Sequence, residues 1–125
     1  MRLDGKVAIV TGGGSGFGEG IARPSAEEGA KVVIADINTK AAKGVAKIID
    51  TAGGAALAVD CGVTKKGDWS ELAKAPTKAF GRVNIVVNNA GMPQRAAPML
   101  QTDEKTFDKI FAVNVKSIYW SAQTL

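Results

Sequence analysis

Four short apolar runs, each followed by a longer stretch with a different rhythm, constrain the fold of this chain more than any other feature. Lys6–Thr11 (KVAIVT), Lys31–Asp36 (KVVIAD), Ala56–Val59 (ALAV) and Val83–Asn88 (VNIVVN) are almost continuously apolar and do not alternate. A strand with one wet face alternates; one that does not alternate is covered on both faces, as strands of a parallel sheet are. Helical patterns fill the gaps. One is predicted over residues 17–28 and closed by Gly29. Thr39 is expected to cap a second, whose Ala42, Val45, Ile48, Ile49 and Ala52 share a face. Asp68-x-x-Glu71 reads as a capping box for a third, with Trp69, Leu72, Ala73 and Phe80 on its core stripe. Thr102 is expected to cap the last, with Asp103 and Glu104 in its first turn. Strand and helix alternate four times without a repeat or a linker, which predicts helices on both faces of one parallel sheet.

A chain of 125 residues is one domain's length, and 46% hydrophobic with 22% charged residues excludes disordered, collagenous and low-complexity classes. The 16 basic and 12 acidic side chains give a net charge of +4. The lysines are thinly spread, which reads as a solvated surface and not as a nucleic-acid stripe. A single cysteine, Cys61, rules out an internal disulfide framework, and with no histidine the usual Cys/His zinc site cannot be built. No stretch resembles a signal peptide or a membrane span, so no membrane partner is expected and the cytoplasm is the expected compartment.

Many of the fifteen glycines gather between the first strand and the first helix, where Thr11–Gly20 reads TGGGSGFGEG. The spacing G-x-G-x-x-G is absent; T-G-x-x-x-G-x-G is present, through Gly12, Gly16 and Gly18. Backbone without Cβ atoms lets a pyrophosphate approach, and the helix start offers free N–H groups with a partial positive charge. A glycine turn with no ligand is the competing reading.

Asp36 weighs against it. This residue ends the second run, 20 positions after Gly16, where a carboxylate accepts from the hydroxyls of an adenosine ribose. It also repels a 2′-phosphate, and neither Ser15 nor Ile37 supplies a compensating cation. The expected cofactor is therefore NAD and not NADP. A solvated strand-end aspartate is the alternative.

The chain resembles the short-chain dehydrogenase/reductase family, on the TGGGSGFG loop, VVNNAG (86–91) and FAVNVKS (111–117), in this order. The resemblance implies an α/β fold with a doubly wound parallel sheet (Rossmann-like), strand order 3-2-1-4 and three α/β/α layers. It implies hydride transfer between NAD and an alcohol or ketone, and a homo-oligomer. Asn89, Ala90 and Gly91 would border the ribose and shape the cofactor cleft, and Asn88 would tie strands together. Ser15 and Phe17 in the glycine loop, Ile37 after Asp36, and Gly62 and Val63 after the third strand complete the implied cofactor contacts. Gly62 falls where the family usually has an adenine-binding aspartate; Asp60 is the nearest carboxylate along the chain. Asn114 matches the family's catalytic asparagine. It also lies within a stripe of Phe107, Ile110, Phe111, Ile118, Ala122 and Leu125, so a buried, satisfied core amide is the competing expectation.

Some family features have no match. The only tyrosine, Tyr119, is followed four positions later by Gln123, so the family's Y-x-x-x-K pair cannot be assigned. Residues 1–125 are accordingly expected to be a single NAD-binding domain, truncated before the catalytic Tyr/Lys segment. The rival is a non-catalytic dinucleotide-binding or oligomerisation module. Pro24 and Pro76 are expected to break the first and third helices.

Overall fold

The computed structural model describes residues 1–125. Strands β1 (Val7–Thr11), β2 (Lys31–Asp36), β3 (Ala55–Asp60) and β4 (Ile85–Val87) form one parallel sheet in the order β3-β2-β1-β4. Helices α1 (Gly16–Glu27), α2 (Thr39–Thr51) and α3 (Lys66–Phe80) are the crossovers. The chain ends in α4 (Glu104–Phe111), a π-helical turn over Ala112–Lys116, and α5 (Ser117–Thr124). The expected doubly wound α/β architecture and strand order are both present.

Alternate side chains of the buried strands feed two separate cores. Val10, Val32 and Ile34 pack with Ala22 of α1 and with Ala42, Val45, Ala46 and Ile49 of α2. On the opposite face Ile9, Val33 and Ala35 pack with Trp69 and Leu72 of α3 and with Cys61 and Val63. Both faces of β1 and β2 are therefore dry, which is why their sequences do not alternate. The edge strand β4 is only half-buried. It is also shorter than the 83–88 run predicts, because Asn84 leaves the ladder to exchange two bonds with Val7. The Val7 N–H donates to Asn84 Oδ1 and the Asn84 N–H to the Val7 carbonyl, each at 2.9 Å.

Several local expectations are corrected. Asn38, and not Thr39, caps α2, its Oδ1 accepting from the Ala41 N–H at 3.0 Å. Asp103, and not Thr102, caps α4 by accepting from Thr106. In both cases a short polar side chain one position from the predicted one has the non-helical backbone that aims it back at the helix. The Asp68–Glu71 capping box does not form, because α3 begins at Lys66 and Asp68 lies inside its first turn. Both prolines are accommodated. Pro24 and Pro76 lie near the C-terminal ends of α1 and α3, which continue through them, and the Pro76 ring is fully buried. A proline in a late turn removes one ladder bond and leaves the preceding turns intact.

The last helix presents the opposite face from the predicted one. Ser117 and Ser121 are buried, and Val113 and Trp120 pack against the Trp69–Leu72 cluster. These four positions lie on one side of the helix, where the two small serines admit close approach to α3. Phe107, Phe111, Ile118 and Leu125 of the predicted core stripe are instead exposed, and the first two stack with ring centroids 4.6 Å apart.

Candidate functional site

The glycine loop leaves β1 at Thr11, and this residue joins β1 to the end of the edge strand β4. Thr11 Oγ1 accepts from the backbone N–H groups of Asn89 and Ala90, at 3.1 and 3.0 Å, and donates to the Val87 carbonyl at 3.3 Å. Asn89 answers by donating its Nδ2 to the carbonyls of Thr11 and Gly12, at 2.9 and 3.2 Å. The crevice between β1 and β4 is thus fixed by one threonine and one asparagine. The amide that ties the strands is Asn89, and not Asn88 as expected; Asn88 is exposed and makes no side-chain hydrogen bond. Ala90 lies against Gly12 in the same crevice, and Gly91 follows it beside the Asn89 carbonyl.

Two glycines shape the loop by different means. Gly16 has φ +53° with open space around it, so the backbone conformation itself requires a residue without a Cβ. Gly18 is buried, and a Cβ there would collide with the Gly12 carbonyl and come within 2.7 Å of Asn89 Nδ2. The loop therefore packs directly against the crevice wall. At its end α1 starts uncapped: Ser15 has extended backbone and makes no side-chain cap bond. The N–H groups of the first turn have no intrahelical acceptor, and they carry the positive end of the helix dipole. Ser15, Gly16 and Phe17 surround this terminus and are all exposed, Phe17 by 87%.

Asp36 stands beside the loop at the end of β2. Its Oδ2 accepts from the Gly14 N–H and its Oδ1 from the Asn38 N–H, each at 2.9 Å. The carboxylate is held rigid by two backbone donors and keeps lone pairs for a further hydroxyl. Ile37, next in the chain, is 75% exposed. Asp60, the register partner of Asp36 on β3, is exposed at the neighbouring strand end.

Beyond β3 the chain turns through Cys61, Gly62 and Val63. Asp68 Oδ2 accepts from the Gly62 N–H at 2.8 Å, and the Trp69 indole N–H donates to the Val63 carbonyl at 2.9 Å. The first turn of α3 thus holds this turn at two points. Burial, followed by the charges of Asp68 and Asp60, pushes the Cys61 thiol up to about 12, so it stays protonated.

Asn114 lies in the π-helical turn and is exposed, which corrects the expectation of a buried core amide. Its Oδ1 accepts from the Met92 N–H at 2.7 Å and its Nδ2 donates to the Met92 carbonyl at 2.9 Å. This closed pair ties the segment after β4 to the final helix and places Asn114 next to Gly91.

The sequence-predicted cofactor residues fall into three groups: Gly12, Gly18, Asn89, Ala90 and Gly91 in the crevice, with the predicted catalytic Asn114 beside Gly91; Ser15, Gly16, Phe17, Asp36 and Ile37 around the start of α1; and Gly62 with Val63 beyond β3. Three residues outside the predicted cofactor set, Thr11, Gly14 and Asp68, hold these groups in place. Thr11 is legible as the end of a strand and the first position of T-G-x-x-x-G-x-G, Gly14 as one more glycine, and Asp68 as a cap.

A doubly wound sheet whose first strand feeds a glycine loop and an uncapped helix, with an acidic residue ending the adjacent strand, is the architecture of the dinucleotide-binding α/β class. Within that class the chain belongs to the short-chain dehydrogenase family, whose model matches residues 6–125. It is 46% identical over 123 residues to 4-formylbenzenesulfonate dehydrogenase of Comamonas testosteroni, covering 98% of this chain and 49% of that protein. A crystal structure of 3-ketoacyl-(acyl-carrier-protein) reductase from Brucella melitensis, complexed with NADH, superposes with a TM-score of 0.92 at 43% identity, covering 97% of this chain and 49% of that one. A metagenomic short-chain oxidoreductase in complex with NADP gives 0.94 at 31% identity, over 100% of this chain and 57% of that one. The chain thus spans about half the length of the relatives it matches.

Proposed function

We propose that residues 1–125 are the NAD-binding domain of an oxidoreductase that transfers hydride between NAD and an alcohol or ketone. The uncapped start of α1 behind a glycine loop with no room for a Cβ at Gly18 is the observation that carries this reading. A bound dinucleotide fits these residues. The first-turn N–H groups of Gly16, Phe17 and Gly18 face its pyrophosphate, with Ser15 alongside. Asp36 accepts from the adenosine ribose hydroxyls, Ile37, Gly62 and Val63 border the adenine, and Asn89, Ala90 and Gly91 form the opposite wall. NAD supplies the hydride chemistry; the residues of this chain bind and orient it. Of the two structural relatives with a named cofactor, the NADH complex shares the higher identity, which agrees with the acidic residue at position 36.

Asn114 is the one catalytic group of the family pattern present, and its side chain is occupied in holding Met92. With Gln123 where the pattern requires lysine, the acid/base pair is not supplied by residues 1–125, and the chain by itself turns over no alcohol. The apolar face of α4 and α5 joins a second copy of the chain. The cytoplasm is the proposed compartment; no helix is long and apolar enough to cross a membrane.

Fluorescence titration of the purified chain with NADH tests the reading, alongside Gly18→Ala. Saturable binding by the parent chain and its loss in the variant are expected. No binding by a folded parent chain contradicts the proposal.

A further inference from the structure

We propose that the cleft between the C-terminal halves of α1 and α2 binds a small organic ammonium ion, at a site separate from the dinucleotide crevice. α1 starts at the glycine loop, and the cleft flanks its other end, about 16 Å away along the helix axis. Arg23, Ala26 and Glu27 of α1 face Ile48 and Ile49 of α2 across it, with Gly54 beside them just before β3. The space is about 350 Å³ measured to its open mouth, at the lower end of the roughly 300–1,000 Å³ of small-molecule sites.

The walls are apolar where the two helices meet. Ile49 is buried, Ala26 packs against the same core, and Ile48 keeps 45% of its surface exposed. A Cβ on Gly54 would come within 2.7 Å of Ile49 Cγ2, so a larger residue there would displace the Ile49 side chain.

The charge at the rim is unbalanced. Neither α1 nor α2 has a basic residue in its last turn, although both helix ends are the negative poles of their dipoles. The C-terminal end of α1 carries two carboxylates instead. Glu28 is answered by Arg2, whose N–H donates to Oε2 at 2.9 Å and whose guanidinium lies 3.6 Å from Oε1. Arg23 is turned one helical turn back, 3.4 Å from Glu19. Glu27 has no ion-pair partner. A free carboxylate at a negative helix end, beside an apolar wall, matches a ligand with a cationic head and an apolar body.

An ammonium group has three donors and no acceptor, and an ionised carboxylate only accepts. The head therefore sits on Glu27 while the alkyl body covers Ile48 and Ile49. A neutral alcohol offers the body without the charge, and a carboxylate is repelled by Glu27 and by both helix ends.

Amide NMR titrations with butylammonium, butanol and butyrate at one ionic strength test the site, on the parent chain and on Glu27→Gln. Butylammonium is expected to shift the amides of Ile48, Ile49 and Gly54 to saturation. It should bind about fivefold tighter than butanol, the size of one exposed ion pair. Butyrate should not saturate, and in Glu27→Gln the advantage of butylammonium over butanol should disappear. Glu27 is exposed, and unchanged amide positions elsewhere would show that the variant is folded. The assignment is overturned by a lack of saturation with butylammonium, by equal affinities for butylammonium and butanol, by saturation with butyrate, or by an undiminished advantage in folded Glu27→Gln.

Discussion

Asp36 Oδ2 accepts the backbone N–H of Gly14 at 2.9 Å, so the acid that ends β2 and the loop that follows β1 behave as one unit. A Cβ on Gly14 would lie 2.8 Å from that oxygen and 3.0 Å from both Ala41 Cβ and the Ala42 nitrogen. Gly14→Ala must therefore push the loop off the carboxylate. Overpacking of this kind costs about 1–3 kcal/mol, which urea unfolding should read as a lower midpoint with an unchanged slope. NADH affinity should fall in the same variant.

Thr11→Val keeps the β-branched shape and strand preference of the side chain but removes the hydroxyl. The N–H groups of Asn89 and Ala90 then lose their common acceptor in a half-buried setting. A loss of about 1–3 kcal/mol is expected, and Thr11→Ser should retain most of the stability because it keeps the oxygen. Denaturant titration of the three proteins distinguishes the hydroxyl from the methyl.

The Cys61 thiol gives a pH dependence of defined sign. Its value is raised from 9.0 to about 12 in the folded chain, so between these limits the unfolded chain holds fewer protons than the folded one. Stability therefore falls as pH rises from about 9, by at most about 1.4 kcal/mol per pH unit from this group. Cys61→Ala should lose stability less steeply over the same range. Equal slopes for the two proteins above pH 9 would show that burial does not hold the proton.

Self-association should depend on the exposed face of the final helices. Phe107, Phe111, Val115 and Ile118 are each about half exposed along one side of α4, the π-helical turn and α5. Sedimentation over a dilution series should find an oligomer that dissociates on dilution, and Phe111→Glu should be monomeric throughout. A parent chain that is monomeric at every concentration contradicts the proposed interface.

The fold was legible because its determining pattern is local: KVAIVT and KVVIAD lie between two helix layers, and each run shows that by failing to alternate. The glycine loop and Asp36 were legible for the same reason, since strand, loop and helix follow one another directly. Long-range links were not. The sequence marks Thr11 as the opening of T-G-x-x-x-G-x-G but not what its hydroxyl binds, and it does not assign the strand-tying role to Asn89 over Asn88, because both depend on contacts more than 75 positions apart. In the last helix the largest apolar stripe does not face inward. Close packing against α3 favours the small Ser117 and Ser121, and the larger side chains face out. Asp68 fits the capping-box spacing, but α3 starts two residues before it, which turns its carboxylate towards Gly62.

Dissociation constants of NADH and NADPH for the parent chain and for Asp36→Ala, measured under one set of conditions, test the cofactor role of Asp36. The parent chain is expected to bind NADH at least about tenfold tighter, a difference of about 1.4 kcal/mol, and the gap to narrow in the variant. Equal or tighter binding of NADPH by the parent chain would contradict it.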